Sequence, residues 1–178
     1  MGDTPAWDFR SNEEQLLSKT YEEIGYVVKD GNYQYLELLK KEVEKCFKGF
    51  DKELDNKNIS LANAHLIIKN EKSNDLRLHI MANLFKQTTF HKHYYHAAKD
   101  IVHALCGNEL VMQRRPGISI NLPQNNNDVL PIHADTWNGV SPFELNIWVP
   151  FVDCDNSMCL YILKRDKYMQ RLNNSRGL

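Results

Sequence analysis

Ile118-Ser119-Ile120-Asn121-Leu122 and Phe143-Glu144-Leu145-Asn146-Ile147-Trp148-Val149 both alternate apolar and polar residues with a period of two, the pattern of a strand with one face buried. Turn-rich residues separate them, Pro123-Gln124-Asn125-Asn126-Asn127-Asp128 and then Asn138-Gly139 through Pro142. Cys159-Leu160-Tyr161-Ile162-Leu163 reads as one more strand. Upstream the pattern is helical. Ser11-Asn12-Glu13-Glu14 has the form of a capping box, and behind it Leu17, Tyr21 and Ile24 recur at helical spacing up to a stop at Gly25. Tyr26-Val27-Val28 reads as a short strand closed by the turn Lys29-Asp30-Gly31-Asn32. Leu36, Leu39, Val43, Cys46, Phe47 and Phe50 form one apolar stripe between lysines and glutamates. Residues 51–75 are polar and poorly periodic, as in a surface excursion. Leu76 to Leu105 is helical again, broken near Thr88-Thr89 and stopped at Gly107. Helices first and strands second is an α+β order.

A chain of 178 residues with 42% hydrophobic and 25% charged residues suits one globular domain with a real core. Its parts are a helical portion to about 107, a strand-rich portion over about 108–163 and a polar tail over 164–178. A formal net charge of -1 points away from nucleic acid and from an anionic membrane as the main partner. No apolar run approaches the about 18 residues of a membrane span, and Met1-Gly2-Asp3-Thr4-Pro5 has no secretory pattern, so a cytoplasmic location is expected. Cys46, Cys106, Cys154 and Cys159 are too sparse for a disulfide framework. Cys46 and Cys106 read as small core residues, and the Cys154–Cys159 spacing is not that of a zinc site.

The residues that carry chemistry are His133-Ala134-Asp135. In a strand, residues two apart share a face, so an imidazole and a carboxylate stand side by side. That is what two ligands of a 2-His-1-carboxylate iron site require. A surface His-Asp pair is the bland alternative. The polar face of the flanking strands, with Ser119 and Asn121 on one and Glu144, Asn146 and Trp148 on the other, has two readings as well. It is either a solvated face or the lining of a cavity for a small charged ligand, and the large aromatic Trp148 favours the cavity.

Ile118 through Pro123, Leu130 through Trp137, Ser141 through Pro150 and Asp153 through Met158, with the earlier Glu22 through Val28, resemble the phytanoyl-CoA dioxygenase-like branch of the iron(II)/2-oxoglutarate oxygenases. The likeness is nearest to a bacterial subgroup found with carbohydrate biosynthesis genes. The resemblance covers most of the chain and is strongest from Leu110 to Ser157. It implies a double-stranded β-helix core with helices packed outside. It also implies iron(II) held by His133 and Asp135, 2-oxoglutarate beside Asn121 and Trp148, and hydroxylation of a small metabolite or sugar-related substrate with release of succinate. The family pattern includes a distal His and, about ten residues later, an Arg that pairs with 2-oxoglutarate. No His follows His133 in this chain, so a truncated oxygenase with an incomplete barrel is expected, able to self-associate through an exposed sheet edge. A relative or fragment that binds a small ligand or a partner without turnover is the second functional reading.

The remaining candidates have plainer explanations. His91-Lys92-His93-Tyr94-Tyr95-His96 reads as an exposed helix face in preference to a metal cluster. Arg114-Arg115 reads as a solvated pair that could also steer an anion. The sequons at Asn58 and Asn173 carry no meaning without a secretory signal.

Overall fold

The structure is a computed structural model that describes residues 9–55, 57–115, 117–125, 130–156 and 158–175. The N-terminal Met1–Pro5 stretch and the turn residues Asn126-Asn127-Asp128 lie outside the described residues. The chain divides into two compact units. One comprises residues 1–31, 98–111 and 155–178, and the other residues 32–97 and 112–154.

In the first unit, helix α1 spans Asn12–Ile24. The Ser11 hydroxyl accepts from the Glu14 N–H, and the Glu14 carboxylate accepts from the Ser11 N–H, so the capping box forms as its spacing predicts. Gly25 closes the helix at φ 93°, a left-handed conformation that glycine adopts without a Cβ penalty. The polar tail is also helical, forming α7 over Arg165–Ser175. The two helices meet where the Arg165 guanidinium donates to the Glu22 carbonyl at 2.7 Å.

The second unit holds the main core. Helix α2 spans Tyr33–Lys45, capped by Asn32, and its stripe buries Leu39 and Val43, with Cys46 and Phe47 following. Two short helices, α3 (Lys52–Asp55) and α4 (Ala64–Ile67), lead to α5 over Ser73–Leu84 and to α6 over Thr88–Cys106, of which the residues up to Ala97 belong to this unit. The break near Thr88-Thr89 and the stop at Gly107, φ 79°, fall where the sequence places them. Leu39, Leu76 and Leu84 are 0% exposed and Ile80 1%. Each such side chain contributes about 1.5–3 kcal/mol by burial. Residues 51–75 are more than a surface excursion, because Ala64 and Ile68 join this cluster.

No strand occurs among the described residues, and this overturns both the double-stranded β-helix and the α+β order. The alternation itself is real. Ile118 and Ile120 are half-buried and Leu122 is buried, while Ser119 and Asn121 are exposed. Likewise Leu145, Ile147 and Val149 are half-buried, while Glu144, Asn146 and Trp148 are exposed. Ile118 and Ile120 pack against the helical cluster, with Leu122 inside it. Period-two burial requires only that extended chain lie on an apolar surface; it does not require a neighbouring strand. Tyr26-Val27-Val28 and Cys159 to Leu163, read as strands from the sequence, form no strand either. No helix among the described residues is long and apolar enough to cross a membrane.

The helical core sets a direct contrast within α5. Leu76 is 0% exposed and Leu78 is 49% exposed. Leu76→Ala should lower stability by about 2–5 kcal/mol through lost burial and a residual cavity. Leu78→Ala should stay within about 0.5 kcal/mol of the unsubstituted chain. Urea unfolding followed by helical circular dichroism measures both, and equal losses would contradict this packing.

Candidate metal-ligand pair

His133 and Asp135 come together without a strand. Ala134 is extended, at φ -115° and ψ 137°, and Asp135 then opens a 3-10 turn over Asp135–Asn138. One extended residue between two others is enough to put their side chains on the same side. The turn ends at Gly139, φ 84°, whose N–H donates back to the Thr136 carbonyl, while the Val140 N–H donates to the Asp135 carbonyl.

The His133 Nε2 and the Asp135 Oδ1 stand 3.4 Å apart. The outer atoms of both side chains are engaged elsewhere. His133 Nδ1 lies 2.8 Å from the Pro131 carbonyl. A carbonyl can only accept, so Nδ1 carries the hydrogen and a neutral ring presents its lone pair at Nε2. Asp135 Oδ2 accepts from the Asn146 amide. In the neutral-imidazole state an acceptor nitrogen and a carboxylate oxygen stand 3.4 Å apart, and a cation placed between them would be attracted to both. A proton on Nε2 is one such cation, and a divalent metal is another. Two ligands at right angles around an ion about 2.1 Å away stand about 3.0 Å apart. The observed separation is 3.4 Å, and the pair supplies two of the three protein ligands that such an iron site uses. With side-chain exposures of 36% and 45%, both groups are open to solvent and to an incoming ion.

The partner chain of contacts reaches the helical core. Asn146 follows the turn at Pro142-Phe143, and the next residue, Ile147, offers its carbonyl to the Tyr94 hydroxyl of α6 at 3.0 Å. Tyr94 stacks on Phe90, which is buried.

Asn121 and Trp148 are both exposed, and no hydrogen bond joins either to His133 or Asp135 among the described residues. A groove of about 240 Å³ runs along α1, lined by Leu16, Leu17, Thr20, Ile24, Tyr26 and Val28. It belongs to the first unit, whereas His133 and Asp135 belong to the second. Among the described residues no group of three or more His, Cys, Asp or Glu side chains is arranged to hold a metal ion.

The histidine run on α6 is not one exposed face. His93 is 17% exposed at its side chain, with Nδ1 3.2 Å from Oε1 of the buried Glu42. The contact is misaligned for a hydrogen bond and leaves His93 Nδ1 and Glu42 Oε2 without a hydrogen-bond partner. Glu42 Oε1 accepts from the Thr89 hydroxyl at 2.6 Å. His96 stacks on Tyr35 at 4.8 Å between centroids. Glu42 gave no signal in the sequence beyond a polar residue beside the apolar stripe. These two orphaned atoms are occluded by protein and leave no room for a ligand, so they make a buried structural contact.

No family model, no curated protein and no solved structure matches this chain.

Burial pushes the Tyr94 hydroxyl above the ordinary tyrosine range, which keeps it a donor to Ile147. With the folded-state value raised, the associated stability is intact below the unfolded tyrosine value of about 10 and declines as pH rises through the folded value. In an alkaline absorbance titration, Tyr94→Phe should remove a late-titrating tyrosine and reduce this alkaline loss of stability. An unchanged late phase would show that Tyr94 is not the anchoring donor.

Proposed function

We propose that this chain binds iron(II) through His133 and Asp135 and serves as part of a 2-oxoglutarate-dependent dioxygenase acting on a small metabolite or sugar-related substrate. The observation that carries the proposal is the placing of His133 Nε2 and Asp135 Oδ1 3.4 Å apart, each turned inward by a contact on its outer atom. Iron(II) with 2-oxoglutarate would supply the oxidising chemistry. The protein's part is to hold the ion and leave its remaining positions open. The 2-oxoglutarate half of the proposal rests on the sequence resemblance around Asn121 and Trp148, with no contact between those side chains and the pair to add to it.

The exposure of Asn121 and Trp148 favours a second reading, in which the chain binds a ligand or partner without turnover. In this architecture any self-association would use exposed apolar side chains such as Phe143 and Tyr161, in place of a sheet edge.

Two protein ligands hold a divalent ion weakly, because ligand number largely sets affinity. Titration with cobalt(II) should give a spectral change in the unsubstituted protein that is lost in His133→Ala and in Asp135→Ala and kept in His93→Ala. Equal binding by the unsubstituted protein and His133→Ala would reject the assignment. Succinate release from 2-oxoglutarate by these 178 residues alone should be slight. Cobalt binding with no succinate release under any condition, including addition of a second copy or an extended chain, would favour the non-catalytic reading.

A further inference from the structure

Every residue from Met158 to Lys167 is exposed. The stretch opens on Met158, Leu160, Tyr161, Ile162 and Leu163, each about half exposed or more. In an amphipathic strand or helix exposure is confined to one face. Here consecutive apolar side chains all stand in water, and a contiguous exposed run of that kind marks an interaction surface. Helix α7 continues directly from it, since the Lys164 carbonyl accepts from the Tyr168 N–H. Lys164, Lys167 and Arg171 recur at i, i+3 and i+7 and so form one stripe, with Asp166 on the opposite side of the helix. All three are exposed, and none makes an ion pair among the described residues. Arg165 stands apart from the stripe, held by its bond to the Glu22 carbonyl. Over residues 164–171 four cations stand against one carboxylate, a local excess of positive charge that the net charge of -1 for the whole chain conceals.

We propose that residues 158–171 dock on an anionic lipid surface, the basic stripe against the headgroups and Leu160, Tyr161, Ile162 and Leu163 among them. The charge of the stripe makes the partner anionic. The form of the apolar run selects a lipid layer over a protein groove, because a groove reads one face of a strand or helix, whereas a fluid interface accepts consecutive side chains. Leu160 to Lys164 are neither helix nor strand, so their backbone N–H and carbonyl groups need water. That holds the run in the hydrated headgroup layer, outside the hydrocarbon. Stable attachment of this kind takes two signals, apolar contact and positive charge, and both are adjacent here. Each cation near such a surface strengthens binding about fivefold, so the three together contribute on the order of 100-fold at low salt. All these residues lie in the first unit and His133 and Asp135 in the second, so the inference stands independently of any metal.

The test is co-sedimentation of the full chain with phosphatidylcholine vesicles prepared with and without phosphatidylserine, alongside thermal unfolding of each variant. The unsubstituted chain should sediment with the phosphatidylserine vesicles and be released as salt is raised. Joint replacement Lys164→Gln, Lys167→Gln and Arg171→Gln should weaken binding on the order of 100-fold. Lys48→Gln, Lys57→Gln and Lys69→Gln together, which remove the same charge from exposed positions of the other unit, should leave binding unchanged. Leu160→Ser with Ile162→Ser should weaken it about 10-fold with an unchanged unfolding midpoint. No sedimentation with phosphatidylserine vesicles, equal binding to both vesicle types, or equal loss in the two triple variants would overturn the proposal. A lowered midpoint in the serine variant would overturn it too, by showing that the run serves the fold. Vesicle-free association of the chain with itself, abolished in the serine variant and unaccompanied by vesicle binding, would assign the surface to a second copy instead.

Discussion

The packing of α2, α5 and the first part of α6 around Leu39, Leu76, Ile80, Leu84 and Phe90 is the constraint on which the second unit depends. These side chains are withdrawn almost wholly from water, and their burial is the large favourable term that offsets the entropy of ordering the chain. The apolar surface they leave is what the later extended segments lie on. Leu122 enters the cluster, with Ile118, Ile120 and Phe151 against it. Extended chain is therefore held by side-chain burial on helices, without the backbone ladder that would hold it in a sheet.

The site inherits its geometry from that arrangement. Tyr94 projects from the core helix to the backbone beside Asn146, Asn146 holds one oxygen of Asp135, and Pro131 holds one nitrogen of His133. Each contact is modest by itself, about 0.5–1.5 kcal/mol net for a typical hydrogen bond and more where a charge takes part. Their joint effect is directional. They leave His133 Nε2 and Asp135 Oδ1 3.4 Å apart, the pair on which the proposed metal binding rests. Preorganisation of this kind lowers the reorganisation needed when an ion arrives.

What was legible in the sequence was local. The capping box at Ser11 and Glu14, the stop at Gly25 and the break near Thr88 depend on residues within a few positions of one another and formed as read, while the stripe from Leu36 to Phe50 is helical only to Lys45 and continues through turns. The strands failed because a strand exists only with a partner, and alternation at Ile118–Leu122 reports burial on one face whatever supplies the surface. The closeness of His133 and Asp135 was legible for the same local reason as the caps, since it needs only an extended Ala134. Asn146 and the Glu42–His93–Thr89 contact were not legible in these roles, because tertiary packing brings their partners to them. His93 reads as surface by its neighbours Lys92 and Tyr94, and only the approach of α2 shows otherwise.

The central claim is that a divalent ion sits between His133 Nε2 and Asp135 Oδ1. The most direct measurement is paramagnetic broadening of amide resonances in the nitrogen-labelled chain on addition of manganese(II). The account predicts that broadening begins at residues 133–137 and at Asn146 and Ile147, with the signals of α5 left sharp. Broadening centred on the histidines of α6, or spread evenly over the chain, would contradict it.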